Sequence, residues 1–113
     1  MLTPDDYAAL ESSKRMWNIN PVFSPDREHN EDKASRAGSL SCICCGKAVK
    51  ATRAKWVLCV NGSHDHIGDP AEEEFWETND GGFMGCYVVG SSCASKMSKV
   101  LGVPKSWFFN LED

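Results

Sequence analysis

The apolar positions near the N-terminus predict one amphipathic helix followed by a polar connection. Tyr7, Leu10 and Trp17 recur at helical spacing, and Thr3-Pro4-Asp5-Asp6 resembles a capping box with proline at the first helical position. We therefore predict a helix over residues 4–17. Residues 20–40 contain two prolines, many charges and few apolar side chains, which predicts an extended connection.

Two segments further along the chain are rich in residues that favour strands. Residues 54–60 end at the turn pair Asn61-Gly62, and residues 83–89 form the second candidate. Between them, residues 70–77 predict one or two helical turns. Residues 93–101 predict a helix that starts after Gly90-Ser91-Ser92 and ends at Gly102.

The apolar residues of these elements predict a core that includes the C-terminal aromatic side chains. Three adjacent aromatic residues near a terminus are expected to pin that terminus onto the rest of the protein. The predicted core residues are Trp56, Leu58, Tyr87, Val89, Met97, Val100, Trp107 and Phe108. Together the elements predict an α+β fold with a short antiparallel sheet.

Length and cysteine content indicate that the fold needs a stabilising element besides its hydrophobic core. The chain has 113 residues, a net charge of −4 and six cysteines. A chain this short buries a limited core, so a bound metal would stabilise it. We predict an N-terminal helix and linker over residues 1–40 and a zinc-binding domain over residues 41–113. The acidic start lacks a signal-like apolar run, and no stretch has the length of a membrane span, so we expect a cytoplasmic protein.

The segment around Cys42 predicts half of a structural zinc site. Zn²⁺ prefers about four tetrahedral ligands, and a Cys-x-x-Cys turn places two sulfurs on one side of the ion. Cys42 and Cys45 have this spacing, and Gly46 allows the backbone to turn back with positive φ. Cys44 is then the spare cysteine. A redox Cys-x-x-Cys is the main rival, but the flanking sequence lacks the βαβ context of that motif.

The remaining two ligands are expected from the C-terminal half. Cys93 falls in the first turn of a predicted helix, where a thiolate is favoured. A knuckle, a hairpin and a helix that starts with a ligand follow the treble-clef order, in which another ligand normally precedes this one by three residues. That position is Gly90 here. We predict Cys86 as the fourth ligand, with Cys59, His64 and His66 as the alternatives.

Several motifs in residues 41–100 are similar to small phage and bacterial zinc-finger-like proteins. They are Cys42-x-x-Cys45-Gly46-Lys47, Trp56-Val57, Gly82-x-Met84-Gly85 and Val89-Gly90-Ser91-Ser92-Cys93-Ala94-x-Lys96. The resemblance implies a zinc-stabilised, treble-clef-like unit and a viral origin. It implies no catalytic activity.

The favoured function is that of a non-enzymatic binding protein, such as a phage accessory factor that inhibits or modulates a host protein. Small size, a structural metal and an additional N-terminal helix support this hypothesis. The alternative is a nucleic-acid-binding zinc finger with a basic face. That face would consist of Lys47, Lys50, Arg53, Lys55, Lys96 and Lys99. The net charge and the acidic segment 65–80 oppose it.

A degenerate HNH-like nuclease is the enzymatic alternative. Asp65, His66 and Ile67 resemble the part of that motif in which a histidine activates water beside a divalent metal. However, Cys93 is followed by Ala94-Ser95-Lys96-Met97, so the later histidine of the family is absent. We therefore expect no enzymatic activity and no catalytic residues.

Overall fold

The computed structural model describes residues 1–110. This part of the chain is α+β, with four α-helices and six short strands. The helices are α1 Pro4–Ser12, α2 Arg27–Arg36, α3 Glu73–Asn79 and α4 Ser91–Lys96, and a π-helical turn at Met97–Leu101 continues α4. The strands are β1 Met16–Asn18, β2 Leu40–Ser41, β3 Ala48–Val49, β4 Lys55–Cys59, β5 His66–Gly68 and β6 Gly85–Val89.

The main antiparallel sheet, in the order β1-β5-β4-β6, separates two hydrophobic cores. Successive side chains of a strand point to opposite faces. Val57, Cys59 and Val89 therefore lie on one face, where they pack in the larger core. Leu58 and Val60 lie on the other face, in a smaller core beneath α1 and α3. Strands β2 and β3 form a separate hairpin beside the larger core.

The predicted start of the N-terminal helix is confirmed, but its predicted end is wrong. The capping box of Thr3 and Asp6 is formed, with both reciprocal hydrogen bonds present. The helix ends at Ser12 because the chain reverses at Lys14, which has a left-handed φ of 64°. Met16 and Trp17 then pair with β5. Burial of Met16 in the smaller core outweighs the helical spacing that predicted residues 13–17 to be helical.

The prediction of an extended connection over residues 20–40 is also wrong. A 3₁₀ turn covers Asn20–Val22, and α2 follows. Ala34 is the one fully buried residue of α2, so the helix lacks the apolar stripe that normally reveals a helix in a sequence. β1, from the N-terminal segment, pairs with β5 in the main sheet. The division of the chain at residue 40 stays a prediction.

Most of the predicted elements after residue 50 are confirmed. Strands β4 and β6 lie in the two segments rich in strand formers, and α3 overlaps the helix predicted over residues 70–77. Asn61 and Gly62 have φ values of 60° and 64°, as a tight turn requires. Gly102 ends the C-terminal helix with a left-handed φ of 89°.

The C-terminal aromatic residues pack on the protein as predicted. Trp107 is buried in the larger core. Phe109 and Trp56 exchange two backbone hydrogen bonds, at 2.8 and 3.0 Å, beside the start of β4. Two predicted core residues are wrong: Trp56 is half-buried and belongs to neither core, and Val100 is 63% exposed. Val100 lies in the π-helical turn, whose wider register departs from the α-helical spacing behind the prediction.

Candidate metal centre

The hairpin of β2 and β3 presents residues 42–47 as a tight knuckle. Its turn is closed by Gly46 N, which donates to Cys42 O at 2.8 Å, and by Cys42 N, which donates to Lys47 O at 3.0 Å. Gly46 has a φ of 78°, in the region that favours glycine. The turn that the Cys-x-x-Cys-Gly spacing predicts is therefore formed.

Helix α2 and the turn before it hold the outer side of this knuckle. Arg27 Nε, Ser24 N and Asn30 Nδ2 donate hydrogen bonds to the carbonyl oxygens of residues 43, 44 and 45, in that order. The second and third of these bonds measure 3.0 and 2.9 Å. These bonds satisfy the carbonyl groups on the side of α2, while the amides of Cys44 and Cys45 act on the sulfur of Cys42.

Gly46 also lets α2 approach the knuckle at backbone distance. A Cβ atom at this position would overlap the backbone oxygen of Arg27 and lie 2.9 Å from Glu31 N. The segment predicted to be an extended linker is thus the part of the chain that braces the cysteine turn. No motif in the sequence indicated Ser24, Arg27 or Asn30, because their role depends on tertiary packing.

Three cysteine sulfurs converge at the inner side of the knuckle. Cys42 and Cys45 come from the knuckle and Cys93 from the first turn of α4, and their Sγ atoms all lie within 4.8 Å of one another. Sulfurs of a tetrahedral zinc site are separated by about 3.8 Å when each Zn–S bond is about 2.3 Å. If the three sulfurs moved slightly closer together, they would therefore be at the distances that bind an ion. Within residues 1–110 this is the one group of three or more metal-ligating side chains at such distances.

Backbone amides at the centre favour a thiolate on Cys42. The amides of Gly90, Cys45 and Cys44 each lower the pKa of Cys42, and Cys44 N lies 3.4 Å from Cys42 Sγ. A hydrogen bond with Cys93 and burial outweigh the amides and raise the pKa of Cys42. A bound cation would reverse this balance, since metal binding displaces the thiol proton.

Cys93 and Cys44 also interact through their side chains. The hydrogen bond with Cys42 lowers the pKa of Cys93, but contact with Cys44 and burial outweigh it and raise that pKa to about 12. The same contact with Cys93 lowers the pKa of Cys44. Cys44 Sγ donates to Val22 O at 3.0 Å, and it is outside the group of three mutually close sulfurs.

The structure does not bring Cys86 to the three sulfurs. Cys86 lies in β6 between Tyr87 and Gly85, on the face of the sheet opposite the knuckle, where it packs against the smaller core. The alternation of side chains along a strand accounts for this placement. Cys59 is fully buried on the knuckle side of the sheet, where desolvation raises its pKa to about 12.

The two histidines considered as ligands have other surroundings. His64 Nδ1 lies 3.4 Å from Arg27 Nη2, and its ring packs edge-on against Tyr87. His66 Nε2 lies 3.4 Å from a carboxylate oxygen of Glu11. Neither histidine belongs to the cluster of Cys42, Cys45 and Cys93.

The residues that resemble an HNH motif do not form a metal cluster within the described part of the chain. Ile67 is fully buried in β5. Asp65 accepts a hydrogen bond from Asn20 Nδ2 at 3.3 Å, and its backbone oxygen accepts one from Ile19 N at 2.7 Å. Through these contacts, the segment of residues 65–67 helps to hold β1 against β5.

A surface cavity of about 310 Å³ opens beside the three thiols. Its wall includes Cys42, Cys45 and Cys93, together with Gly90 at the start of α4. Three cationic side chains complete one side of it: Lys47, Lys50 and Arg53. A metal ion held by the three sulfurs would therefore lie at the base of a basic cavity.

A larger groove of about 790 Å³ lies between α2 and β6. Glu28, Glu31 and Asp32 line it from α2, and Trp56 and Tyr87 line it from the sheet. Within residues 1–110, β6 is an edge strand of the main sheet. The knuckle covers part of this edge, because Ile43 N donates to Val88 O at 2.9 Å, and the part around Cys86 faces the groove. The groove thus combines acidic side chains, aromatic side chains and a strand edge.

Comparisons with known proteins give no further assignment. No known protein family matches the chain, and neither a curated protein nor a solved structure is significantly similar to it. The resemblance to zinc-finger-like proteins therefore stays a prediction. No helix within residues 1–110 is long and apolar enough to cross a membrane.

Proposed function

We propose that this chain is a zinc-stabilised, non-enzymatic protein-binding protein with a treble-clef-like metal unit. The convergence of Cys42, Cys45 and Cys93 supports the metal part of the proposal, and the acidic groove beside β6 supports the protein-binding part. Thiolates suit Zn²⁺ better than the hard cations Mg²⁺ and Ca²⁺, which take oxygen ligands. The order of the knuckle, the strands and α4 along the chain supports a treble-clef-like unit.

The metal would stabilise the fold by joining two elements that are distant in sequence. Cys42 and Cys45 lie in the β2–β3 hairpin, whereas Cys93 lies at the start of α4. An ion bound to all three ties the hairpin to the helix across the edge of the larger core. Since the metal binds the folded chain in preference to the unfolded one, its binding free energy adds to stability.

The acidic groove is the surface we propose for partner binding. A strand edge can pair with an extended segment through backbone hydrogen bonds, while adjacent side chains select its sequence. Carboxylates of Glu28, Glu31 and Asp32 favour lysine or arginine side chains in that segment. The partner is therefore an extended basic segment of another protein, which agrees with an accessory factor acting on a host protein in the cytoplasm.

Charge-neutralising variants of the groove test this proposal. The variant Glu28→Gln/Glu31→Gln is compared with Glu73→Gln/Glu74→Gln, which removes the same charge from exposed positions of α3. A partner captured by the full chain should be lost with the groove variant and kept with the α3 variant. Crosslinks from a photoreactive residue at Ser35, which also lines the groove, should map to a basic segment of that partner.

Two results would contradict the protein-binding proposal. One is a partner retained equally by both charge variants, with crosslinks that avoid the groove. The other is salt-sensitive binding of duplex DNA that depends on Lys47, Lys50 and Arg53, which would favour the nucleic-acid alternative instead.

A further inference from the structure

Within residues 1–110, no fourth ligating side chain joins the three sulfurs, so one coordination position of a tetrahedral ion would be open. Cys86 is on the other face of the sheet, and Cys44 Sγ is engaged with Val22 O at 3.0 Å. At residue 90 a Cβ atom would lie 3.9 Å from Cys42 Sγ, in ordinary contact. Gly90 has φ −70° and ψ 153°, a conformation that any residue adopts. The backbone therefore accommodates a ligand at this position, and the sequence supplies none.

The fourth coordination position of an ion bound there would face the basic cavity described above. That cavity is lined by all three cysteines and by Gly90, so a ligand entering it from solvent can approach the ion directly. Its volume of about 310 Å³ is at the small end of ligand pockets, the size for a compact group. The hydroxyl groups of Ser91 and Ser92 also line it and provide hydrogen-bond donors.

The charge of the cavity selects an anionic ligand. A divalent ion with three thiolates carries a single negative charge, which alone would repel an anion. Lys47, Lys50 and Arg53 more than offset that charge, and no aspartate or glutamate within residues 1–110 lines the cavity. Arginine and lysine favour phosphate oxygens because they form charge-assisted hydrogen bonds with them.

We propose that the fourth position of the metal is an exchangeable site for a phosphate group. The group would coordinate the ion through one oxygen, while the cationic side chains hold its other oxygens. This inference rests on the proposed metal site, and it adds a ligand-binding function to an ion otherwise assigned to stability. Free phosphate and a phosphate monoester present the same chemistry.

Cobalt substitution of the full chain tests the proposal. Co²⁺ bound by thiolates gives charge-transfer bands whose intensity follows the number of sulfurs, and its d–d bands respond to the fourth ligand. Inorganic phosphate and phosphoserine are titrated separately at constant ionic strength, with sodium chloride as the control. We expect a saturable shift of the d–d bands with phosphate and none with chloride. A response to phosphoserine as well would identify the site as open to monoesters.

Two variants and a control test whether the shift of the d–d bands with phosphate arises in the cavity. Lys50→Ala/Arg53→Ala should retain the three-thiolate spectrum and weaken phosphate binding by about tenfold or more, because two charge-assisted contacts are lost. Gly90→Cys should add the intensity of a fourth thiolate and abolish the phosphate response. As a control, Lys33→Ala/Arg36→Ala removes the same residue types from exposed positions of α2 outside the cavity lining, and it should leave the response unchanged.

The possible failures are distinguishable. If no thiolate-to-cobalt bands form, the proposed metal site itself is wrong. If those bands form and neither phosphate nor phosphoserine shifts the d–d bands, only the exchangeable site is wrong. If Cys44→Ala lowers the charge-transfer intensity by about a quarter, Cys44 is the fourth ligand and the inference is overturned. Equal shifts with chloride and phosphate would also overturn it.

Discussion

The contact between Gly46 and α2 gives the sharpest prediction about stability. Gly46→Ala places a Cβ atom against the backbone of α2, where it overlaps Arg27 O and lies 2.9 Å from Glu31 N. Backbone cannot move aside as the end of a flexible side chain can. The helix must therefore shift, and the hydrogen bonds from Arg27 and Asn30 to the knuckle are lost or weakened.

Gly38 provides a matched control for the same substitution. Its φ of 70° is close to the 78° of Gly46, but a Cβ atom there meets no atom within 4 Å. A left-handed alanine costs about 1–2 kcal/mol, from which the reduced entropy of the unfolded chain recovers about 0.4–1 kcal/mol. Gly38→Ala should therefore lower the free energy of unfolding by about 1 kcal/mol.

Gly46→Ala should cost substantially more than this control. The same conformational term applies, and the loss of two hydrogen bonds adds about 1 kcal/mol for each. We expect a total destabilisation of about 3 kcal/mol, together with weaker binding of Zn²⁺. Urea unfolding at saturating zinc measures the first quantity, and competition with a chromophoric chelator measures the second. Equal destabilisation by the two variants would refute the argument that α2 braces the knuckle.

Three further predictions concern the site and the smaller core. Gly90→Cys should raise zinc affinity at least tenfold in chelator competition, because its sulfur would complete the tetrahedron near Cys42; unchanged affinity would contradict the predicted geometry. Asn30→Ala should cost about 1 kcal/mol in urea unfolding, whereas Asn30→Asp should not rescue it because a carboxylate cannot donate to a carbonyl. Burial and a hydrogen bond to Asp80 raise the pKa of Tyr7 to about 12, so this interaction stabilises the fold fully below pH 10 and is lost as the pH rises through 12. Tyr7→Phe should not show this loss of stability at alkaline pH. If the free energy of unfolding of the variant and of the wild type changes with pH in parallel, the Tyr7–Asp80 interaction does not contribute as argued.

Local sequence signals predicted the knuckle and the cysteine at the start of α4. Cys-x-x-Cys-Gly describes a turn whose geometry depends on neighbouring residues, and Gly46 adopts the positive φ that this turn needs. Cys93 follows from the same kind of signal, because it lies in the first turn of a helix that ends at Gly102. Both predictions depend on short stretches of consecutive residues, which are 42–47 for the knuckle and 90–102 for the helix.

The placement of Cys86 depends on information that is less local. The strand itself was predictable, but the face that each residue occupies depends on register, and a shift by one residue exchanges the faces. Leu58 is the partner of Cys86 in β4, and both side chains belong to the smaller core. The sequence did not reveal which of the two cores would contain the knuckle.

The brace formed by α2 was the least predictable part of the site. Ala34 is the single fully buried residue of the helix, so hydrophobic periodicity could not identify it. The helix is held by polar contacts with the knuckle, through residues such as Asn30 and Arg27, and by the missing side chain of Gly46. Such contacts leave little trace in a single sequence, because asparagine and arginine are common on any solvated surface.

The number of zinc ions in single-cysteine variants tests the central claim most directly. Native mass spectrometry of the zinc-loaded chain is compared with that of Cys93→Ser and Cys86→Ser. We predict one ion per chain for the wild type and for Cys86→Ser, and loss or severe weakening of binding for Cys93→Ser. Circular dichroism would establish that both variants fold. Equal loss of zinc in Cys86→Ser, or full retention in Cys93→Ser, would contradict a metal centre built from Cys42, Cys45 and Cys93.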